Sequence, residues 1–464
     1  MDAIIPTFVL MWGDIWNKIR AVLDRINNDK LKQNILQSLP FWIASLITGV
    51  VAVFYAKLFG WAEATALHVA NKTGWLLFII TPVCFVLAWW VVRRFANNAR
   101  GSGIPQVMAA IELANPKHSQ HVDALLSIKT TLIKVLSSIL MVLGGGAIGR
   151  EGPTIQIAGS IFWKVNQLLP KTWPRISKKN MIITGAAAGL AAAFNTPLGG
   201  IVFAVEELAR THINYFKTAI FTAVIIAGLT AQGILGPYLY LGYPKVDGLS
   251  PYIFAYVLIV AVLAGALGTL MSKLILKLLK WKASFKGKWF EVLYVIGAAL
   301  IIAAIAFFIN DSVLFSGRSE MSTLLFTDNK YGGWQLPLMR IIGPVLSFTT
   351  GAAGGIFAPS LSAGAATGSL IAQLFTLSGA NANILILAGM VALLTGVTRS
   401  PFTSAILVLE MTDRHNVIFH LMLAGMIASV ISAMIDKRSL YSHLEQQYLD
   451  DAYSSDTSKL PANL

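Results

Sequence analysis

Gly144-Gly-Gly-Ala-Ile-Gly-Arg-Glu-Gly-Pro-Thr-Ile-Gln156 is the stretch on which the reading of this chain turns. It closes an apolar run, residues 132–149, whose only charge is Lys134, and it leads straight into another apolar segment. Glycine permits tight backbone geometry and is costly inside a regular helix. Proline suits the first turn of a helix, where its missing N–H is no loss. A glycine-rich loop followed by Pro153 therefore predicts a helix that begins at about residue 151. Two other places share this grammar, Gly101-Ser-Gly-Ile-Pro105 and Gly355-Ile-Phe-Ala-Pro359.

The surroundings are those of a membrane protein. Of 464 residues, 56% are hydrophobic and 12% charged, about half the charged fraction of a soluble domain. The mean hydropathy is +0.67. Candidate spans cover residues 41–56, 75–92, 132–149, 181–205, 219–236, 252–271, 292–309 and 417–435, most of them about long enough for a ~30 Å hydrocarbon core. Residues 341–398 contain no Asp, Glu, Lys, Arg or His. A stretch that long must fold back on itself within the bilayer. The expectation is an all-α polytopic membrane protein. Near the N-terminus, Ile15, Trp16, Ile19, Val22 and Leu23 fall at helical spacing among charges, as in an amphipathic surface helix. The single cysteine, Cys84, excludes disulfide frameworks and multi-cysteine metal sites. No HExxH is present, and no metal or cofactor is expected.

The net charge of +14 is gathered beside spans: Arg93, Arg94 and Arg100 after one, Lys273, Lys277, Lys280, Lys282, Lys286 and Lys288 after another. The positive-inside rule places these, and the basic N-terminus, in the cytoplasm. It accounts for them better than nucleic-acid binding does.

The chain also repeats itself. At an offset of 204, Gly185, Ala188, Leu190, Pro197 and Glu206 meet Gly389, Ala392, Leu394, Pro401 and Glu410; upstream, at an offset of 206, Gly145, Gly149 and Pro153 meet Gly351, Gly355 and Pro359. Repeats in transporters mean two pseudo-symmetric halves with a substrate site between them.

Broken helices at membrane depth survive only against protein or a water-filled path. Their N-termini carry free N–H donors and partial positive charge. Several of them converging form an anion site without a full positive charge, which lets a permeating anion leave again. Glu151 then reads as a carboxylate that competes for such a site and yields it when protonated, both gate and proton carrier. The alternative is a loop at the headgroups with Arg150 and Glu151 solvated.

These three motifs, the repeat and a C-terminal tyrosine resemble the CLC family of chloride channels and chloride/proton exchangers, whose filter reads GSGIP, G(K/R)EGP and GxFxP. The resemblance covers roughly residues 32–443. It implies an inverted-repeat bundle of tilted, partly broken helices, assembled as a homodimer with a separate path in each subunit. By this resemblance the filter comprises Gly101, Gly103, Ile104 and Pro105, then Gly149, Arg150, Gly152 and Pro153, then Gly355, Ala358 and Pro359. Ser102 and Tyr441 would contact the central chloride through their hydroxyls, and Ile356 and Phe357 through backbone N–H groups. Glu151 would be the external gate and Glu207 the internal proton acceptor, with Lys134 a basic residue near the anion path. Against these roles stand an N-cap for Ser102, an interfacial anchor for Tyr441, snorkelling for Lys134, and a water-exposed helix end with Arg210 nearby for Glu206 and Glu207. Glu206 reads as structural because its mate Glu410 exists, whereas Glu207 faces Met411.

Having both Glu151 and Glu207 favours a chloride/proton antiporter over a passive voltage- or proton-gated chloride channel. Ser102 resembles the chloride-selective branch; the nitrate-selective branch carries proline there, and the fluoride-specific branch departs from these motifs. An intramembrane enzyme lacks a partner histidine and GxSxG. A sodium symporter would place acidic ligands near the breaks, and Gly355–Pro359 offers none. The expected layout is a cytoplasmic amphipathic segment (1–31), a transport domain (32–443, halves about 32–236 and 250–443) and a short cytoplasmic tail (444–464). The 23 residues after Tyr441 are too few for paired nucleotide-binding CBS domains, so the expectation is no nucleotide partner, a bacterial inner membrane and both termini cytoplasmic.

Overall fold

The computed structural model describes residues 27–209, 217–236 and 239–457, with residues 16, 18, 20–22 and 24. Of the N-terminal apolar set, Ile15, Ile19 and Leu23 lie outside the described residues, as does Arg210. Trp16 is buried edge-on against Trp173, ring centroids 4.7 Å apart.

Among the described residues the chain is helical, without named strands. The first half runs through α1 (Asp29–Lys72), α2 (Leu77–Phe95), α3 (Ile104–Leu113), α4 (Ile128–Leu143), α5 (Glu151–Gln167), α6 (Lys178–Phe194), α7 (Pro197–Phe203) and α8 (Lys217–Leu235). The second continues with α9 (Ile253–Ala283), α10 (Lys288–Phe308), α11 (Arg318–Phe326), α12 (Gln335–Thr349), α13 (Phe357–Leu374), α14 (Gly379–Thr398), α15 (Pro401–Thr412), α16 (Ile418–Ile435) and α17 (Leu440–Thr457). Eight of the described helical segments are long and apolar enough to cross a membrane. This is an integral membrane protein. Its α1, at 44 residues, is about 66 Å long, so it crosses obliquely or projects beyond the bilayer.

The three glycine-proline loops start helices as read, at Ile104, Glu151 and Phe357. Two expected spans are shorter than drawn. The 132–149 run is helical only to Leu143, because three consecutive glycines end α4. The 181–205 run is not one helix: Asn195 takes a left-handed conformation (φ 57°), Pro197 cannot donate to the preceding turn, and the chain restarts as α7 and ends in a π-helical turn, Ala204–Leu208. The charge-free stretch does fold back, as the hairpin α13–α14. Two expected boundaries fall inside continuous helices: residue 31 in α1 and residue 443 in α17, where Leu444, Tyr448 and Ala452 remain buried.

The repeat is visible in the backbone. Gly145 and Gly351 have φ of 78° and 84°, and Asn195 and Arg399, capping α6 and α14, have φ of 57° and 65°. Pro197 and Pro401 open α7 and α15. Each of these short helices is capped by an acid from the other half. Glu206 accepts from the N–H groups of Phe402 (3.2 Å) and Thr403 (2.7 Å) and from the Thr403 hydroxyl (2.7 Å). Glu410 accepts from the N–H groups of Leu198 (3.0 Å) and Gly199 (2.6 Å). Helix starts leave such donors unsatisfied, and a carboxylate also suits the positive end of the helix dipole. Glu206 thus has the structural part read for it.

Candidate anion and proton site

The three glycine-proline loops meet although they are far apart in sequence. Gly149 and Gly355 pair mutually, N–H to carbonyl, at 2.7 and 2.8 Å. Gly101 N–H donates to Ala352 O (2.9 Å) and Gly101 O accepts from Gly354 N–H (3.1 Å). Side chains fix each loop from behind. Gln106 donates to the carbonyls of Asn98 (3.1 Å) and Arg100 (2.6 Å). Ser347 Oγ accepts from Ala147 N–H at 2.9 Å, and Ser137 Oγ accepts from Ala353 N–H at 3.0 Å. Lys282 Nζ donates to Thr349 O (3.2 Å) and to Thr350 O, at the end of α12. Lys134 is wholly buried and donates to Gly101 O at 3.0 Å, so it braces the first loop rather than snorkelling.

Two glycines are demanded by contact. Gly103 has φ 107°, and a Cβ there would stand 2.7 Å from Gly152 O. A Cβ on Gly152 would run into Ser102 Oγ. Helices α3 and α5 therefore begin in backbone contact, their N–H groups at one place. The first turn of α13, from Ile356 and Phe357, joins them through the Gly149–Gly355 pair. Ala358 and Pro359 lie against Gly149, where a Cβ would be 3.4 Å from Ala358 Cβ and 3.2 Å from Pro359 Cδ.

Ser102 is 1% exposed and its Oγ has no hydrogen-bond partner. It does not cap α3, whose N-cap position is Gly103 without a side-chain bond. Tyr441 is fully buried, which is not the setting of an interfacial anchor. Its hydroxyl faces that of Ser102, and neither meets the geometry of a hydrogen bond. Its ring stacks at 9° on Phe357, centroids 6.5 Å apart. Glu151 is 1% exposed, so it is not a solvated headgroup residue. Its carboxyl lies over Gly149, facing the backbone N–H groups of Glu151 and Ala358, with Oε2 unpartnered. Its neighbour Arg150 donates to Ala56 O at 3.2 Å. Buried polar atoms are rarely left without partners. Three of them here lie at joined helix N-termini, which offer free N–H donors and partial positive charge.

Glu207 lies apart from these loops, on the π-helical turn, where it accepts a bond from Ser400 Oγ at 2.5 Å. Such turns recur at functional sites.

Sequence reasoning missed how the anion would reach Ser102. A cavity of about 780 Å³ leads to Gly101 and Ser102, and Arg93, Arg100, Lys277, Lys280 and Lys282 all line it. The positive clusters had been read as topology signals only. The structure gathers these five around one opening, together with Glu291, which pairs with Arg93 at 2.6 Å; a low-dielectric wall there would focus their field.

The sequence model of the family described as "Voltage gated chloride channel" matches residues 84–433. The chain is 30% identical over 473 residues to the "H(+)/Cl(-) exchange transporter ClcA" of Citrobacter koseri, covering 95% of this chain and 94% of that one. In structure it is similar to a "slow cyanobacterial Cl-/H+ antiporter", with a TM-score of 0.77 and 24% identity over 89% of this chain and 98% of the other. It is also similar to a "CLC-type fluoride/proton antiporter", with a TM-score of 0.74 and 18% identity over the same shares. These structural likenesses carry the fold, the inverted repeat of tilted and broken helices.

Proposed function

The chain belongs to the voltage gated chloride channel family, and from that premise we propose that it exchanges chloride for protons, with Glu151 as the gate. The observation that carries this reading is the meeting of three unpartnered buried oxygens, on Ser102, Tyr441 and Glu151, at the joined starts of α3, α5 and α13. Chloride arrives through the basic cavity. The hydroxyls of Ser102 and Tyr441 donate to it, with the backbone N–H groups of Ile356 and Phe357. Partial charges from helix ends hold it loosely enough to leave. The Glu151 carboxylate competes for the same donors, because it too is an anion. Protonation cancels its charge, and the side chain gives way to chloride. Glu207, bonded to Ser400, accepts the proton on the cavity side and passes it on through water. One carboxyl thus alternates between occupying the anion's place and carrying the proton, which couples the two fluxes.

The same reading makes the protein a homodimer in a bacterial inner membrane, with a separate path in each subunit. It puts the termini and the cavity mouth in the cytoplasm, which the basic residues around that mouth favour. The name of the Citrobacter koseri relative supports exchange over passive flow.

Purified protein in liposomes with a chloride gradient and no pH gradient tests this. Chloride running downhill is expected to drive protons uphill. Glu151→Ala and Glu207→Gln are each expected to stop the protons while chloride still moves. Chloride flow without any proton movement in the native protein would make it a passive channel, and no chloride flow would remove the filter reading altogether.

A further inference from the structure

A second acid stands on the far side of Glu151 from the basic cavity. Helix α1 reaches a short turn at Gly74–Leu76, and α2 returns from there to Arg93 at the cavity. Glu63, near the turn end of α1, is therefore remote from that opening. It is half-buried on a membrane helix, and such acids are costly unless used. Its carboxyl accepts a long bond from Ser316 Oγ (3.4 Å), and no cation among the described residues lies within ion-pair distance of it. It is not half of a structural salt bridge.

Its setting is built from several elements. Ala56 and Glu63 are seven residues apart, on one face of α1, and Arg150 sits on Ala56 O. Arg150 and Glu151 bear on Glu63 from the filter loop, and Arg318 and Glu320 from α11. Arg340, buried on α12, is also within their field. Its guanidinium donates to the carbonyls of Ser312 (2.6 Å), Leu314 (2.8 Å) and Phe315 (3.1 Å), which fixes the loop presenting Ser316. Phe315 N–H in turn donates to Gly145 O, in the glycine run that precedes the gate (3.3 Å).

We propose that Glu63, held by Ser316 and flanked by Arg150, is the outer proton acceptor of the cycle, exchanging protons between Glu151 and the solution opposite the cavity. Only O–H bonds change: the proton leaves one carboxyl, crosses by water or the Ser316 hydroxyl, and protonates the other. This rests on the exchange reading above.

The test is proton-coupled turnover in uniformly oriented vesicles, as a function of pH on the side opposite the cavity, for the native chain, Glu63→Gln, Glu63→Asp and Ser316→Ala. Glu63→Gln is expected to slow turnover about tenfold at neutral pH, ~1.4 kcal/mol on the activation barrier. The loss should shrink as that side is acidified and hydronium reaches Glu151 directly. Glu63→Asp should restore most of the rate, and Ser316→Ala should shift the pH profile in the same direction by less. A Glu63→Gln loss equal at every pH, or none, overturns the inference while native coupling persists. A native chain that moves chloride without protons overturns the exchange reading and this inference with it.

Discussion

The hairpin α5–α6 and the hairpin α13–α14 follow one backbone plan and differ in what they place at their shared end. Both begin from a glycine loop, both end in a left-handed residue, and both lead to a short helix opened by proline and capped by an acid from the other half. Where the first carries Glu151, the second has Phe357. Where the first ends in Glu206-Glu207, the second ends in Glu410-Met411. The packing differs too. Phe162 presses on Gly185 in the first hairpin, whereas its mate Gly368 lets α13 and α14 touch backbone to backbone, Gly364 against Gly389. The shared features build the scaffold, and the two proton carriers proposed at these hairpins, Glu151 and Glu207, are both departures from symmetry. Function in this molecule is written where the halves disagree.

Exchanging residues between mates probes that contrast. The largest effect is expected from Glu207→Met, which gives the first half its mate's residue: proton movement is lost while chloride continues, read as pH and chloride changes in the same vesicles. Retained coupling would show that this asymmetry is incidental. Next comes Gly389→Ala, whose Cβ would enter the backbone of Gly364. It is expected to destabilise by about 3 kcal/mol, the upper range for overpacking. Gly185→Ala, which meets the Phe162 side chain at 2.8 Å, should cost about 1 kcal/mol, since that side chain can shift. Thermal unfolding in detergent compares the two, and equal losses would refute the difference in packing. Glu206→Gln and Glu410→Gln should each lower stability by about 1–2 kcal/mol through weakened charged hydrogen bonds. Neither should change coupling, and a loss of coupling in Glu206→Gln alone would break the symmetry claimed for these caps. As small as Gly185→Ala is Arg399→Asn. Asparagine tolerates the left-handed backbone, as Asn195 does, but it forfeits the guanidinium bonds to Asp436 O at 3.1 and 3.3 Å, about 1 kcal/mol.

Much of this was legible from residue order. Glycine and proline punctuate the backbone locally, so the starts at Ile104, Glu151 and Phe357 could be read without contacts. The mates Glu206 and Glu410 announced a shared structural duty. The break after Phe194 was overlooked because residues 181–205 are uniformly apolar, and hydropathy does not register a left-handed Asn195 ahead of a proline. The supports of the three loops were beyond reach for another reason. Ser137, Ser347 and Lys282 act on backbone groups distant in sequence, and an isolated serine or lysine on a helix has no periodicity that names its target. Glu63 is illegible in the same way, since one acid near the end of a long helix reads as a solvated residue until Ser316 is seen bonded to it.

The crossed caps also constrain how the molecule is made. Leu198 N–H waits for a carboxylate 212 residues further along the chain, so α7 leaves the ribosome with its first turn bare and is completed only after α15 has been synthesised. Neither short helix can gain its carboxylate cap until both halves are present. Two separate copies of such a half, facing each other about an axis, would finish one another in the same manner, and a single fused chain guarantees that the second copy is always at hand.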